Sequence, residues 1–130
     1  MGDISTHFSK RELQCKCGCG KYVPNEKLLK LAEAVRIILD CPMTVTSSTR
    51  CKKHNSSPKV GGEPNSNHLQ GEAMDFTCRL GARKAYDKII AAWRNGELPL
   101  LGGIGLYVGK NFIHIDVTKA ADGHLRRWNG

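Results

Sequence analysis

Two stretches of this chain of 130 residues carry side chains able to hold a divalent metal. The first, Ser66 to Phe76, sets His68 and Asp75 on either side of Gly71. Glycine lets the backbone turn tightly and lets another group come close. Beyond it, Glu72 to Cys78 alternate as a short strand, with Ala73, Asp75 and Thr77 on one face and Met74, Phe76 and Cys78 on the other. An aspartate on such a strand needs something positive to meet it. The second stretch, Phe112 to Val117, is an apolar strand whose period of two puts Phe112, His114 and Asp116 on one face. His68, Asp75 and His114 together make a three-ligand zinc site with a fourth position open for water. Zinc there lowers the pKa of a water toward ~7 and polarises a scissile carbonyl. Taken singly, each residue has a plainer role. A lone histidine is a core or surface group, and a lone strand aspartate is a cap or an ion-pair partner.

The ordered set Ser66-x-His68-x-x-Gly71-x-Ala73-x-Asp75, Gly102-Gly103-Ile104-Gly105 and His114-x-Asp116 resembles the D-Ala-D-Ala carboxypeptidase group of zinc peptidases. That group belongs to the wider lysostaphin, carboxypeptidase and hedgehog-type fold. The resemblance also takes in Cys15 to Gly20, Ser47 to Cys51 and Val60-Gly61-Gly62, so it runs over nearly the whole chain in order. It implies Zn2+ on His68, Asp75 and His114, and an arginine, Arg50, holding a substrate carboxylate. A guanidinium pairs bidentately with such a group; the plainer reading of Arg50 is a structural salt bridge. The family pattern has Ser-Gly-Tyr-Arg where this chain has Ser47-Ser48-Thr49-Arg50, so an aromatic wall is missing. Ser66 either hydrogen-bonds substrate or caps the turn.

A peptidase also needs a group that takes the proton from water and passes it to the leaving amine. Asp116, on the same strand face as His114, is the expected catalytic base. It has two other possible roles: an acceptor that orients His114 or a neighbouring ligand, or the metal ligand itself. Asp122 and His124 are alternatives in the tail, whereas His7 and His54 read as surface groups.

The elements that position these residues follow from caps and periodicity. Ser9 to Glu12 form a capping box opening a short helix that ends by Leu13 or Gln14. The cysteine-glycine run that follows is an irregular, tight segment. A strong helix starts at Pro24-Asn25, buries Leu28, Leu31, Ala32, Val35, Ile38 and Leu39, and stops at Cys41-Pro42. Met43 to Ser48 is a strand that delivers Arg50, and Lys52 to Asn67 is a long loop at the rim of the site. A second amphipathic helix spans Gly81 to Asn95, with Trp93 in the core. Ile104 to Val108 and Asn111 to Val117 form a hairpin around Gly109-Lys110. The tail from Thr118 is basic and polar, with Trp128 docking back. The expected fold is α+β, a small, largely antiparallel sheet flanked by helices, hedgehog/D-Ala-D-Ala peptidase-like, in one domain over residues 1–130.

Net charge is +8, which suits an anionic partner such as bacterial cell wall. Aromatics are 6% and the cations are spread out, so no nucleic acid partner is expected. No apolar run approaches the ~20 residues that cross a bilayer, so no membrane insertion is expected. The N-terminus lacks an apolar core of a secretory signal, which places synthesis in the cytoplasm and action on the wall after release or as part of a phage. A monomer is expected. Six cysteines without a signal read as thiols or metal ligands before disulfides. Cys15, Cys17 and Cys19 lack the two-residue spacer of a zinc knuckle, and buried apolar thiols are the plainer reading.

The expectation is a zinc-dependent peptidase that hydrolyses peptidoglycan stem peptides. It is either a D-Ala-D-Ala carboxypeptidase or an L-Ala-D-Glu endopeptidase, as in resembling phage lysins. The rivals are a non-catalytic zinc-containing module of the same fold and a basic nucleic-acid-binding protein with zinc on Cys15, Cys17 and Cys19.

Overall fold

The computed structural model describes residues 4–57, 68 and 71–130, the side chains of Lys52 and His54 excepted. The elements run α1 Lys10–Leu13, α2 Glu26–Leu39, β1 Thr44–Ser47, α3 Lys52–Asn55, β2 Ala73–Thr77, α4 Ala82–Arg94, β3 Gly103–Tyr107, β4 Phe112–Asp116 and β5 Arg126–Asn129. Local chemistry explains most of the boundaries. The Ser9–Glu12 capping box starts α1. The Asn25 side chain accepts from the Leu28 amide at 2.9 Å to start α2, and Asp40 ends it in a left-handed conformation. Gly81 has no side chain with which to cap α4. Asn111, in the β3–β4 turn, accepts from the Ala82 amide at 2.8 Å instead and ties that hairpin to the helix.

The five strands form one sheet in the order β1-β2-β4-β3-β5. The β1/β2, β2/β4 and β3/β4 pairs are antiparallel, while β3 and β5 run parallel. The sheet is therefore mixed, which corrects the expectation of a largely antiparallel one. The cause lies in the tail: Arg126–Asn129 returns alongside β3 as an edge strand. Two smaller corrections concern the loop from Lys52, which opens with the turn of helix α3, and Trp93, which is half-buried rather than central.

Register gives the sheet two unlike faces. Met74 pairs with Ile115 and Phe76 with Ile113, and β3 continues both rows with Ile104 and Leu106. This apolar face packs in one core with Leu28, Leu31 and Val35 of α2 and Ala85 and Ile89 of α4. Burying each Leu or Ile there contributes about 1.5–3 kcal/mol. On the opposite face Ala73, Asp116 and Gly103 form one row, and Asp75, His114 and Gly105 the next. Asp75, His114 and Asp116 thus lie on the side away from α2 and α4.

Candidate metal centre

Asp75 and His114 are direct cross-strand partners, so their side chains meet by register alone. His114 Nδ1 lies 2.9 Å from Asp75 Oδ1. His68 arrives from outside the sheet. Its carbonyl accepts from the amides of Arg50 at 2.9 Å and Gly71 at 3.3 Å, which pins the backbone. Gly71 adopts φ +69°, and a Cβ there would stand 2.5 Å from the Val23 carbonyl oxygen, so only glycine suits this turn. His68 Nε2 then lies 3.3 Å from Asp75 Oδ2, and the two imidazoles meet edge to face at 5.2 Å.

Each imidazole is held from behind. His68 Nδ1 is 2.7 Å from the Ser48 carbonyl, which can only accept, so Nδ1 carries a proton and Nε2 is the nitrogen that faces Asp75. On His114 it is Nε2 that is held, donating to Asp116 Oδ2 at 2.7 Å. Asp116 is fully buried and takes further hydrogen bonds from Arg126 Nη2 at 2.5 and 2.6 Å and from the Thr118 amide at 3.0 Å. Arg50 donates through Nε to Ser47, through Nη1 to Asn55 and through Nη2 to Asp75, at 3.0, 3.1 and 3.4 Å.

These contacts set the charges. Burial pushes the Asp75 carboxyl upward, but hydrogen bonds from His114 and His68 outweigh it and hold the group well below the usual carboxylate range. Asp116 is likewise lowered: burial opposes ionisation, and His114 and Arg126 overcome it. His114 shows the converse. Burial disfavours its charged form, yet the Asp116 and Asp75 carboxylates raise its pKa above the ordinary imidazole value.

One ligand atom from each of His68, Asp75 and His114 fits within 4.8 Å of the others. Zinc bonds of about 2.0–2.2 Å in a tetrahedron space neighbouring donors by roughly 3.3–3.6 Å. Here His68 Nε2 lies 3.3 Å from Oδ2 of Asp75 and His114 Nδ1 lies 2.9 Å from Oδ1, separations of the same order. Two neutral imidazoles and one carboxylate, each oriented by an outer partner, are a donor set that zinc accepts. Asp116 does not join this group; it sits on the far nitrogen of His114. Asp122 and His124 pair with each other at 2.8 Å and are exposed. His7 is also at the surface, paired with Glu33. Ser66 and Val60-Gly61-Gly62 lie outside the described residues, as does the side chain of His54.

Arg126 was not among the residues singled out from the sequence, and Trp128 was singled out only as a docking aromatic. Both belong to the architecture of this centre. Parallel pairing sets Arg126 beside Gly103 and Trp128 beside Gly105. A Cβ on Gly103 would stand 2.5 Å from Arg126 Nη2, and one on Gly105 2.5 Å from Trp128 Nε1. The bare glycines let the arginine reach Asp116 and bring the indole to 5.0 Å from the His114 ring. The available signal was Gly103-x-Gly105 matched against Arg126-x-Trp128, two period-two patterns of equal length.

A family model described as Peptidase M15 matches residues 6–116. The chain is 33% identical over 85 residues to a protein of Haemophilus influenzae named probable peptidoglycan L,D-endopeptidase MepK. That alignment covers 65% of this chain and 39% of the relative, so the chain spans well under half the length of that protein. No solved structure matches.

Proposed function

Because the chain belongs to the peptidase M15 family, we propose that it is a zinc-dependent peptidase acting on peptidoglycan stem peptides. The observation that carries this reading is the convergence of His68, Asp75 and His114, from separate parts of the chain, on one ligand-sized space. Zinc held there would acidify a water molecule and polarise a carbonyl. The protein's own part is positional. Ser48 and Asp116 fix the proton on the far nitrogen of each imidazole, leaving the near nitrogens as donors. Arg50 and Arg126 offset the charges of Asp75 and Asp116. With those four charges balanced, a dication beside two neutral imidazoles leaves the centre positive, which favours a developing oxyanion.

In this reading Asp116 is a positioning residue rather than the base expected from sequence, since it holds the far nitrogen of His114 and is itself held by Arg126 and the Thr118 amide. All three nitrogens of the Arg50 guanidinium are engaged within the protein. That favours a structural role over capture of a terminal carboxylate, and so an endopeptidase over a carboxypeptidase. The name of the Haemophilus relative points the same way. Purified peptidoglycan fragments, digested with and without chelator and read by mass, test the proposal. Internal cleavage that stops with chelator and in His68→Ala supports it. Cleavage that survives both refutes it.

A further inference from the structure

A second cluster lies apart from this centre. Cys15, Cys17, Cys19 and Cys51 bring their sulfurs within 4.8 Å of one another. The measured edges are 3.4 Å for Cys15–Cys17, 3.8 Å for Cys15–Cys51 and 3.6 Å for Cys17–Cys51. None of the six cysteines is in a disulfide, and a disulfide would draw two sulfurs to about 2.05 Å. Zn–S bonds of about 2.3 Å in a regular tetrahedron set sulfurs roughly 3.8 Å apart. The cluster therefore has the size of a four-thiolate cage.

We propose that Cys15, Cys17, Cys19 and Cys51 bind a structural zinc ion, separate from the His68/Asp75/His114 centre and independent of the function proposed for it. The local backbone supports a cage despite the unusual spacing. Gly18 at φ +92° and Gly20 at φ +76° let the loop curl, and the Cys15 amide closes it on the Lys21 carbonyl at 2.7 Å. The Cys51 amide points at Cys15 Sγ at 3.4 Å, the outer hydrogen bond that a metal-bound thiolate accepts. Four protein donors fill a tetrahedron, so the ion is closed to substrate. On binding, each thiol gives its proton to the buffer, and four thiolates with one dication leave two negative charges. Lys16 and Lys53 border the same surface hollow as the thiols and offset them.

The cage would pin the 15–21 loop to Cys51, one residue after Arg50 and three after the Ser48 carbonyl that orients His68. It therefore braces the arm behind the other centre. Metal content of the full chain, His68→Ala, Cys19→Ser and the double variant tests this directly. Two zinc ions are expected in the parent chain, one in each single variant and none in the double. Cobalt loading should give strong near-ultraviolet thiolate-to-cobalt absorption in His68→Ala and not in Cys19→Ser. Two metals in Cys19→Ser, or none in His68→Ala with no cobalt band, would overturn the proposal. Should Cys19→Ser fail to fold, thiol titration of the parent chain decides. Cys17 and Cys19 are exposed, so they should react slowly until chelator is added and fast afterwards; equal rates in both conditions refute the cage.

Discussion

Asp116→Asn separates the two roles open to this residue. The change keeps the shape and removes the charge. In the parent chain Oδ1 accepts from the Thr118 amide and Oδ2 from His114 Nε2, while Arg126 donates to both. An amide offers one acceptor and one donor group in place of two acceptors. If its oxygen stays on Thr118, its NH2 faces His114 Nε2 and moves the imidazole proton to Nδ1, the atom that faces Asp75. If it flips, its NH2 opposes the Thr118 amide and the Arg126 guanidinium. The first arrangement puts a proton where the metal must bind; the second leaves a buried donor without its acceptor, which costs about 1–3 kcal/mol of stability. Loss of an outer partner of a metal-bound histidine weakens metal affinity by about 10- to 100-fold. That is roughly 1.4–2.7 kcal/mol. Competition against a chromophoric chelator, with Cys19→Ser as background to isolate this centre, reads the affinity; chemical denaturation reads the stability. Unchanged zinc affinity combined with lost turnover would refute the positioning role and restore Asp116 as the base.

Three further outcomes follow from the same geometry. In metal-free protein, His114 contributes stability that is complete below its ordinary pKa of 6.5 and is lost as pH rises through its raised folded value. Asp75 and Asp116 contribute stability present above their ordinary 3.8 and lost as pH falls through their lowered folded values. Chelated protein should therefore melt highest in the mildly acidic window between these limits and lower at alkaline pH. Zinc must displace the Nδ1 proton, so the zinc-induced rise in melting temperature should grow with pH. Gly105→Ala places a methyl 2.5 Å from Trp128 Nε1 and should cost about 1–3 kcal/mol by overpacking. It should also shift the tryptophan fluorescence as the indole leaves the Tyr107 hydroxyl, to which it donates at 2.9 Å.

The period-two pattern of Phe112 to Val117 and of Glu72 to Cys78 was enough to put His114, Asp116 and Asp75 on specific faces, because antiparallel neighbours with one apolar side have little freedom of register. The capping box at Ser9 and the Asn25 cap likewise marked where α1 and α2 begin. What lay beyond reach was pairing between distant segments. Arg126–Asn129 has no apolar alternation, since its inner residues are half-buried and its outer ones exposed, and the contacts that fix its parallel partner, Arg126 to Asp116 and Trp128 to Tyr107, join segments distant in the chain. Cys51 is far from Cys15 in the chain, so spacing around the first three cysteines gave no cue to a fourth. For Arg50, the choice between substrate and salt bridge depended on Asn55 and Asp75 being within reach, which is a property of the fold.

Membership of β5 in the sheet also has a consequence for partial unfolding. β5 is an edge strand paired with β3 alone, so it can fray while the apolar layer between the sheet and the helices stays packed. While it is detached, a carboxylate in the interior lacks the guanidinium that Arg126 brings, and the support behind His114 loosens with it. Metal affinity at this centre should therefore fall before the hydrophobic core gives way.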